Sequence, residues 1–273
     1  MLKYDLHTHT KYSDGELDIL GNIKRAKELG LSGIAITDHD NLDSWKDIDS
    51  NNYDFYVIKG VELSTYYNGV NIHILGYYLN DDGSYSELEH FLAMVREKRK
   101  ERVYKVIDLL KNFEIELTYE EIASYADGAI GRPHIAQAII NKYPERNYSM
   151  NEVFDKYIGN NAPAYVKSFN FETKDAIDML KRNHCLVVLA HPLFSDKYDY
   201  KEIFDLGIDG IEVFYPYTEH KNYEEVLNFA KDNDLIITGG SDYHGPFVRN
   251  SMGEEFLEEP YIIEFLKAIN IKN

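Results

Sequence analysis

Short apolar runs that alternate with helical patterns constrain the fold of this chain more than any other feature. Four such runs cover residues 32–37, 186–190, 210–214 and 235–238. Runs of this length are typical of buried parallel strands, and strands that alternate with helices predict parallel βαβ units. Residues 2–10 alternate between apolar and polar side chains, which indicates a further strand at the beginning of the chain.

Two β-rich stretches, residues 53–65 and 70–79, flank the dipeptide Asn68-Gly69. Asn-Gly is a strong signal for a tight turn, so these stretches predict a hairpin. The predicted strands then number roughly seven, which suits a closed or nearly closed β/α barrel of the α/β class.

The middle of the chain changes to helical patterns. Residues 85–113 form one long pattern in which apolar residues lie mostly three and four apart, and shorter helical pieces follow. We therefore expect a barrel made of residues 1–83 and 164–273. Residues 84–163 are predicted to form a helical insert that acts as a lid.

The composition limits what the protein binds. The formal net charge is −18, so the surface repels polyanions and we expect no binding to long duplex nucleic acid. No stretch approaches the roughly 20 apolar residues of a membrane helix, and the amino terminus lacks the apolar run of a signal peptide. These absences predict a cytoplasmic protein without membrane contact. The single cysteine, Cys185, lies in an apolar run, which favours a buried and inert thiol.

Histidines concentrate where the predicted strands end. His7 and His9 are two residues apart on the first strand, so they point to the same face and can chelate one ion together. His39 lies in the polar segment Thr37-Asp38-His39-Asp40 directly after an apolar run, and His191 follows another run. In β/α barrels the carboxyl-terminal rim carries the active site.

Carboxylates occupy comparable places. Glu62 lies between Val61 and Leu63, and a carboxylate among apolar neighbours is costly to bury unless it is paired or bound to a metal. Asp242 and His244 repeat the two-residue spacing after the last apolar run. The preceding glycines, at positions 239 and 240, would let the backbone approach a ligand closely.

Each residue also has a simpler interpretation. Asp14 could cap a helix, His73 could be a hydrogen-bonded core histidine, and the segment 37–40 could be a surface turn. Together, however, they would require five strand ends to carry costly ionisable residues by chance. The candidate donors suit two or three divalent ions and are His7, His9, Asp14, His39, Glu62, His73, His191, Asp242 and His244. Mixed imidazole and carboxylate donors favour Mn, Fe or Zn over Mg or Ca.

The order of these motifs resembles the PHP family, named for polymerase and histidinol phosphatase. Its members carry in this order motifs equivalent to His7-x-His9, Thr37-Asp38-His39-Asp40, Gly60-x-Glu62, His73, Ala190-His191-Pro192 and Asp242-x-His244. The resemblance covers about residues 1–80 and 185–245. It implies a distorted (β/α)7 barrel and a trinuclear metal site.

The resemblance also distributes the ligands among the ions. It implies a first ion held by His7, His9, Glu62 and Asp242, a second that shares Glu62 with His73 and His191, and a third held by Asp14, His39 and His244. We further expect the carboxylate of Asp40 to orient one of the ligand histidines, as metal-bound histidines usually require.

Within the family, the helical segment followed by Gly131-Arg132-Pro133-His134 is similar to bacterial enzymes that act on nucleoside 3′,5′-bisphosphates and, in some members, on the 5′ ends of short RNA. This similarity implies a small phosphorylated nucleotide as substrate. Arg132 would then clamp a phosphate bidentately and His134 would add a donor. A surface position at a helix N-terminus is the alternative interpretation of Arg132.

These observations predict metal-dependent hydrolysis of a phosphomonoester. Metal ions held by these donors would lower the pKa of a bound water towards about 7, and the resulting hydroxide would attack phosphorus in line. Two alternatives are a phosphatase for another small metabolite such as histidinol phosphate, and a non-catalytic metal-binding module that supports a partner protein. The sequence does not indicate an oligomeric state.

Overall fold

The structure is a computed structural model that describes residues 2–48, 54–79, 84–126, 130–167, 171–216, 223–245 and 250–270. Its strands are β1 (Lys3–Thr8), β2 (Gly33–Ile36), β3 (Tyr56–Tyr67), β4 (Val70–Tyr78), β5 (Cys185–Leu189), β6 (Gly210–Phe214), β7 (Ile236–Gly239) and β8 (Leu257–Glu258). They form one sheet in the order β7-β6-β5-β4-β3-β2-β1-β8. Strand β8 has only two residues, so the roughly seven strands predicted from the sequence account for nearly all of the sheet.

Backbone hydrogen bonds nearly close this sheet into a barrel. The segment after β7 reaches β1, where Tyr243 forms a parallel bridge with Thr8. The N–H of His9 donates to the Tyr243 carbonyl at 2.9 Å, and the N–H of Tyr243 donates to the His7 carbonyl at 3.3 Å. The predicted α/β barrel is therefore confirmed.

Strand β4 runs against both of its neighbours. It pairs antiparallel with β3, and Asn68 and Gly69 form the connecting turn with positive φ angles of 49° and 83°, which confirms the predicted hairpin. It also pairs antiparallel with β5, whereas the other neighbouring pairs from β1 to β7 are parallel. Because β4 is reversed, its beginning lies at the rim where the parallel strands end. His73, opposite Ser64 of β3, is thereby brought to that rim.

The α-helices among the described residues are α1 (Ile19–Glu28), α2 (Asp43–Asp47), α3 (Ser86–Leu110), α4 (Tyr119–Ala123), α5 (Arg132–Lys142), α6 (Met150–Val153), α7 (Thr173–Arg182), α8 (Tyr200–Phe204), α9 (Tyr223–Asp232) and α10 (Tyr261–Ala268). None of these is long and apolar enough to cross a membrane. Asp18 caps α1 by accepting the N–H of Gly21 at 2.7 Å. Asp14 is therefore not the N-cap of this helix and is available for another role.

Two hydrophobic clusters lie in the described part of the chain. The larger one fills the barrel and includes Leu88 and Leu92 from the beginning of α3. The second consists of residues between Val103 and Ala164, from the end of α3 to the segment after α6. Helix α3 therefore contributes to both clusters, and the second cluster lies in the helical region of the chain.

Candidate metal centre

His7 and His9 lie side by side at the end of β1. Their rings are fully buried, and the ring centroids are 5.3 Å apart. Both Nε2 atoms face the same two carboxylates, those of Glu62 and Asp242. The pair therefore has the orientation that chelation of one ion requires.

Glu62 is the centre of the site. Its Oε1 lies 2.9 Å from His73 Nδ1 and 3.1 Å from His191 Nε2. Its Oε2 lies 3.3 Å from the Nε2 atoms of both His7 and His9, and 3.0 Å from His39 Nδ1. One fully buried carboxylate thus faces five imidazoles that come from three strand ends, those of β1, β2 and β5, and from the β3–β4 hairpin.

Asp242, Asp14 and His244 complete the cluster on its other side. Asp242 Oδ1 lies 3.4 Å from His7 Nε2 and 3.3 Å from His9 Nε2. Asp14 Oδ1 lies 3.3 Å from His244 Nε2, and its Oδ2 lies 4.0 Å from a ring nitrogen of His39. The structure therefore brings all nine predicted donors into one cluster.

Three groups of donor atoms within this cluster are compact enough to surround a cation. In each group the atoms lie within 4.8 Å of one another, and the groups are His7, His9, Glu62 and Asp242; His39, Glu62 and His73; and His9, Asp14, His39 and His244. His191 is not in the second group but lies 3.1 Å from Glu62 Oε1, so it borders that group.

Several buried nitrogen and oxygen atoms of the cluster make no hydrogen bond of suitable geometry among the described residues, although some of them lie only 3.0 to 3.3 Å apart. They are His7 Nε2, His9 Nε2, Asp14 Oδ1, His39 Nδ1 and Glu62 Oε2. Buried polar atoms are nearly always hydrogen-bonded, because leaving one unpaired costs about 1–3 kcal/mol. All five atoms point into the cluster, and coordination of divalent cations would satisfy them. The residues present therefore fit a metal centre.

The pKa values within the cluster reflect both burial and neighbouring charge. Burial opposes ionisation of Glu62, but His39, His73 and His7 outweigh it and hold the pKa of Glu62 well below its usual value. Burial also opposes protonation of His39, yet Glu62 and Asp14 raise its pKa to about 9. The pKa of His244 rises to about 10 against the same effect of burial, because Asp14 and Asp242 lie beside it. The carboxylates are thus ionised, and protons on the imidazoles would compete with a metal ion.

Glu212 supports the cluster and was not predicted from the sequence. This buried carboxylate of β6 accepts a hydrogen bond from His7 Nδ1 at 3.0 Å and another from the backbone N–H of His191 at 2.8 Å. It lies between Ile211 and Val213, so a carboxylate inside an apolar strand, the signal that identified Glu62, also marks Glu212.

Asp40 has different partners from those expected. Its Oδ1 accepts the backbone N–H of Ser64 at 2.9 Å, and its Oδ2 pairs with the guanidinium of Arg99. Arg99 also donates to Ser64 Oγ at 3.1 Å. Among the described contacts, Asp40 thus joins α3 to β3 and touches no candidate ligand histidine, whereas Glu212 supports His7 in the way expected of Asp40.

The backbone is unusual at three residues of this rim. Asp40, His191 and Asp242 have positive φ angles of 47°, 28° and 52°. Such conformations are costly for residues other than glycine and cluster at functional sites.

Gly240 allows two segments of the backbone to pack together, rather than allowing the expected approach to a ligand. A Cβ at position 240 would lie 2.4 Å from the backbone nitrogen of His7. The absence of a side chain at this position therefore lets the segment after β7 pack against β1.

Two pockets flank the cluster. The first, here called the basic pocket, has a volume of about 370 Å³ and is bordered by His73 and His191 and by Arg132, Lys167 and Lys197. The second, here called the Asp14 pocket, has a volume of about 260 Å³. Its walls include Lys11, Asp14, Glu16, His134 and His244. The structure therefore places Arg132 and His134 in different pockets.

Arg132 and His134 are both held by neighbouring groups at the beginning of α5. The Arg132 guanidinium donates to Asn160 Oδ1 at 3.0 Å and lies 5.7 Å from the ring centroids of Phe154 and Tyr165. His134 Nδ1 accepts the N–H of Gly131 at 2.9 Å. Burial lowers the pKa of His134, so its ring is neutral and its Nε2 carries the proton.

Comparison with known proteins agrees with this geometry. A model of the PHP domain matches residues 5–206. The chain is 30% identical over 252 residues to a 5′-3′ exoribonuclease of Haemophilus influenzae, covering 89% of this chain and 90% of the relative. It is 28% identical over 262 residues to a 3′,5′-nucleoside bisphosphate phosphatase of Chromobacterium violaceum, covering 90% and 88%.

A solved structure has the same architecture. A candidate metal-dependent phosphoesterase of Bifidobacterium adolescentis superposes with a TM-score of 0.85 at 26% identity, covering 97% of this chain and 95% of that one. The barrel, the cluster of donors at its rim and the family match all agree. This chain is therefore a hydrolase that belongs to the PHP-domain family of metal-dependent phosphoesterases.

Proposed function

We propose that this protein releases phosphate from a small nucleotide. The substrate class is a nucleoside 3′,5′-bisphosphate, and the 5′ ends of short RNA form a second class. The name of the Chromobacterium relative supports the first class, and the name of the Haemophilus relative supports RNA 5′ ends as the second class, there by cleavage that releases nucleotides. The observation that carries the proposal is the position of Glu62, which gathers five histidines around one buried carboxylate at the barrel rim.

The proposal assigns two or three divalent ions, Mn, Fe or Zn, to the cluster. The ligands are distributed as His7, His9, Glu62 and Asp242 for one ion, Glu62, His73 and His191 for a second, and Asp14, His39 and His244 for a third. Such ions supply an acidified water and neutralise charge on the phosphate. The mixture of imidazole and carboxylate donors and the unpaired buried nitrogens support this assignment.

The chain's own residues position the reacting groups. Glu212 fixes the ring of His7 and the backbone of His191, so that the donor atoms keep their directions without a substrate. Arg132 in the basic pocket would bind a phosphate oxygen, and the Nε2–H of His134 would donate in the Asp14 pocket. We further propose that residues 84–163 form an insert that acts as a lid, because it brings both of these side chains over the rim.

Phosphate release from a panel of substrates tests this function. The metal-loaded protein would be assayed with adenosine 3′,5′-bisphosphate, histidinol phosphate and a 5′-phosphorylated short oligoribonucleotide. We expect the highest kcat/KM for the bisphosphate, measurable release of phosphate or of mononucleotides from the oligoribonucleotide, and little turnover of histidinol phosphate. Equal rates on all three, or a preference for histidinol phosphate, would contradict the proposal.

A pair of histidine variants provides the matched comparison. His9 is fully buried and faces both Glu62 and Asp242, whereas His90 is exposed on α3. We expect His9→Ala to lose nearly all phosphate release while keeping its far-UV circular dichroism. His90→Ala should retain the wild-type rate.

A further inference from the structure

The basic pocket has an unusual charge. Its described walls contain no aspartate or glutamate, although the chain as a whole has 47 acidic residues and 29 lysines and arginines. Three cationic side chains, Arg132, Lys167 and Lys197, line it instead. An electropositive pocket in a protein of net charge −18 favours an anion at this place.

The cations of this pocket have no carboxylate partner among the described residues. Arg132 donates to the neutral amide of Asn160, and Lys167 Nζ lies 5.0 Å from the centroid of the Tyr66 ring. Aromatic faces and amides hold these side chains in place without neutralising them. Their charge therefore remains available to an anionic ligand.

Arg102 strengthens this positive charge from behind the pocket. Its Nε donates to the carbonyl of Val166 at 2.7 Å, which fixes the segment that carries Tyr165 and Lys167. Burial, together with the neighbouring charges of Arg132 and Arg99, lowers the pKa of Arg102 to about 10. Arg99 is paired with Asp40, whereas Arg102 and Arg132 have no carboxylate partner among the described residues, so a bound anion would offset the repulsion between these two charges.

The Asp14 pocket differs from the basic pocket in the charge of its lining side chains. Asp14 and Glu16 lie in its wall, and Lys11 is the only lysine or arginine among its described lining residues. A phosphate there would meet negative charge, whereas one in the basic pocket would not. The basic pocket also adjoins the cluster directly, since His73 and His191 form part of its wall.

We propose that the basic pocket binds a second phosphate group of the substrate, one that does not react. This inference rests on the proposed function and adds that Arg132 and Lys167 determine the preference for a bisphosphate over a monophosphate. Arg102 is a positioning residue, because it reaches the pocket through the segment that it holds. The reacting phosphate lies at the donor cluster, and the second phosphate pairs with the guanidinium and ammonium groups.

The test compares one substrate with its two singly phosphorylated counterparts. The kcat/KM values for adenosine 3′,5′-bisphosphate, adenosine 3′-monophosphate and adenosine 5′-monophosphate would be measured for the wild type, Arg132→Gln and Lys167→Ala. Each variant should lose about 10- to 100-fold in kcat/KM for the bisphosphate, as expected for a hydrogen bond between charged groups. Values for whichever monophosphate is turned over should change less than threefold, and Lys156→Ala, an exposed lysine outside both pockets, should match the wild type.

The outcomes separate this inference from the function on which it rests. If the wild type hydrolyses the bisphosphate but both variants keep its selectivity, or lose both substrate types equally, the basic pocket is not the second phosphate site. If the wild type releases no phosphate, the proposed function fails, and calorimetric binding of the bisphosphate then tests the pocket. Weaker binding by about tenfold in Lys167→Ala would support it, and no binding or unchanged binding would overturn it.

Discussion

Glu212 on β6 accepts a hydrogen bond from His7 Nδ1 on β1 across the barrel, at 3.0 Å. This contact requires the proton of the neutral imidazole to lie on Nδ1, so the Nε2 lone pair points towards Glu62 and Asp242. The second oxygen of Glu212 accepts the N–H of His191 at 2.8 Å. One carboxylate thus sets the direction of one ring and the backbone position of another histidine.

Replacing Glu212 with Gln should weaken metal binding without unfolding the protein. The amide oxygen can still accept from His7, but its NH₂ group would face the N–H of His191, so one of the two contacts becomes repulsive. We expect metal affinity to fall by about 10- to 100-fold, the usual effect of losing a group that orients a ligand. Competition with a chelating indicator measures this, and Glu224→Gln on the exposed face of α9 is the control. Unchanged affinity would show that Glu212 does not position these histidines.

The Asp40–Arg99 ion pair should stabilise the attachment of α3 to the barrel. Asp40 is buried and Arg99 largely so, and removing either one leaves the other charge uncompensated. We expect Asp40→Asn and Arg99→Met each to be destabilising, and the double variant to be less destabilised than the sum of the two. A coupling energy of about 1–3 kcal/mol in urea denaturation would agree with this account, and additive effects would contradict it.

Trp45 of α2 is expected to be important for stability rather than for catalysis. It is the only tryptophan of the chain, is 1% exposed, and donates from Nε1 to the carbonyl of Gly60 at 2.7 Å. Trp45→Phe removes this donor and leaves a buried acceptor, so the free energy of unfolding should fall by about 1–3 kcal/mol. Tyr104→Phe, at an exposed position, should change it by no more than about 0.5 kcal/mol. A Trp45→Phe variant as stable as the wild type would contradict this role.

His134 should make the stability of the protein depend on pH. Burial lowers its pKa, so the folded state resists the protonation that the unfolded chain accepts below about 6.5, the usual histidine value. Stability from this group is therefore present above that pH and is lost as the pH falls towards the lowered pKa. His134→Gln can still accept the N–H of Gly131 but does not titrate. Between pH 8 and pH 5 the wild type should lose more unfolding free energy than this variant, and equal losses would contradict the prediction.

Much of the barrel was predictable because its strands carry local signals. Apolar runs such as the one before His191 are short and end in polar residues, which indicates both a buried strand and its functional end. The reversal of β4 was also local, since Asn68-Gly69 indicates a hairpin whatever surrounds it. The five-residue helix α2 was not predicted, because it is too short to show a helical period.

The supporting contacts of the site depended on tertiary structure. Asp40 and Arg99 are 59 residues apart, and nothing in their spacing indicates that α3 crosses the rim at Asp40. The two pockets likewise arise from how α5 and the segment 160–167 lie against the barrel, although the two-residue spacing of Arg132 and His134 at the start of a helix already directs these side chains apart. Glu212 is different, because its apolar neighbours on a strand gave a signal that could have been used.

The central claim is that Glu62 holds a group of metal ions at the barrel rim, and elemental analysis tests it most directly. The wild type, Glu62→Gln and Glu224→Gln would be loaded with Mn, Fe or Zn, dialysed and analysed for metal per chain. The account predicts two to three ions per chain in the wild type and the control, in keeping with the three donor groups, and at least one ion fewer in Glu62→Gln. Less than one ion per chain in the loaded wild type, or a full complement in Glu62→Gln, would contradict it.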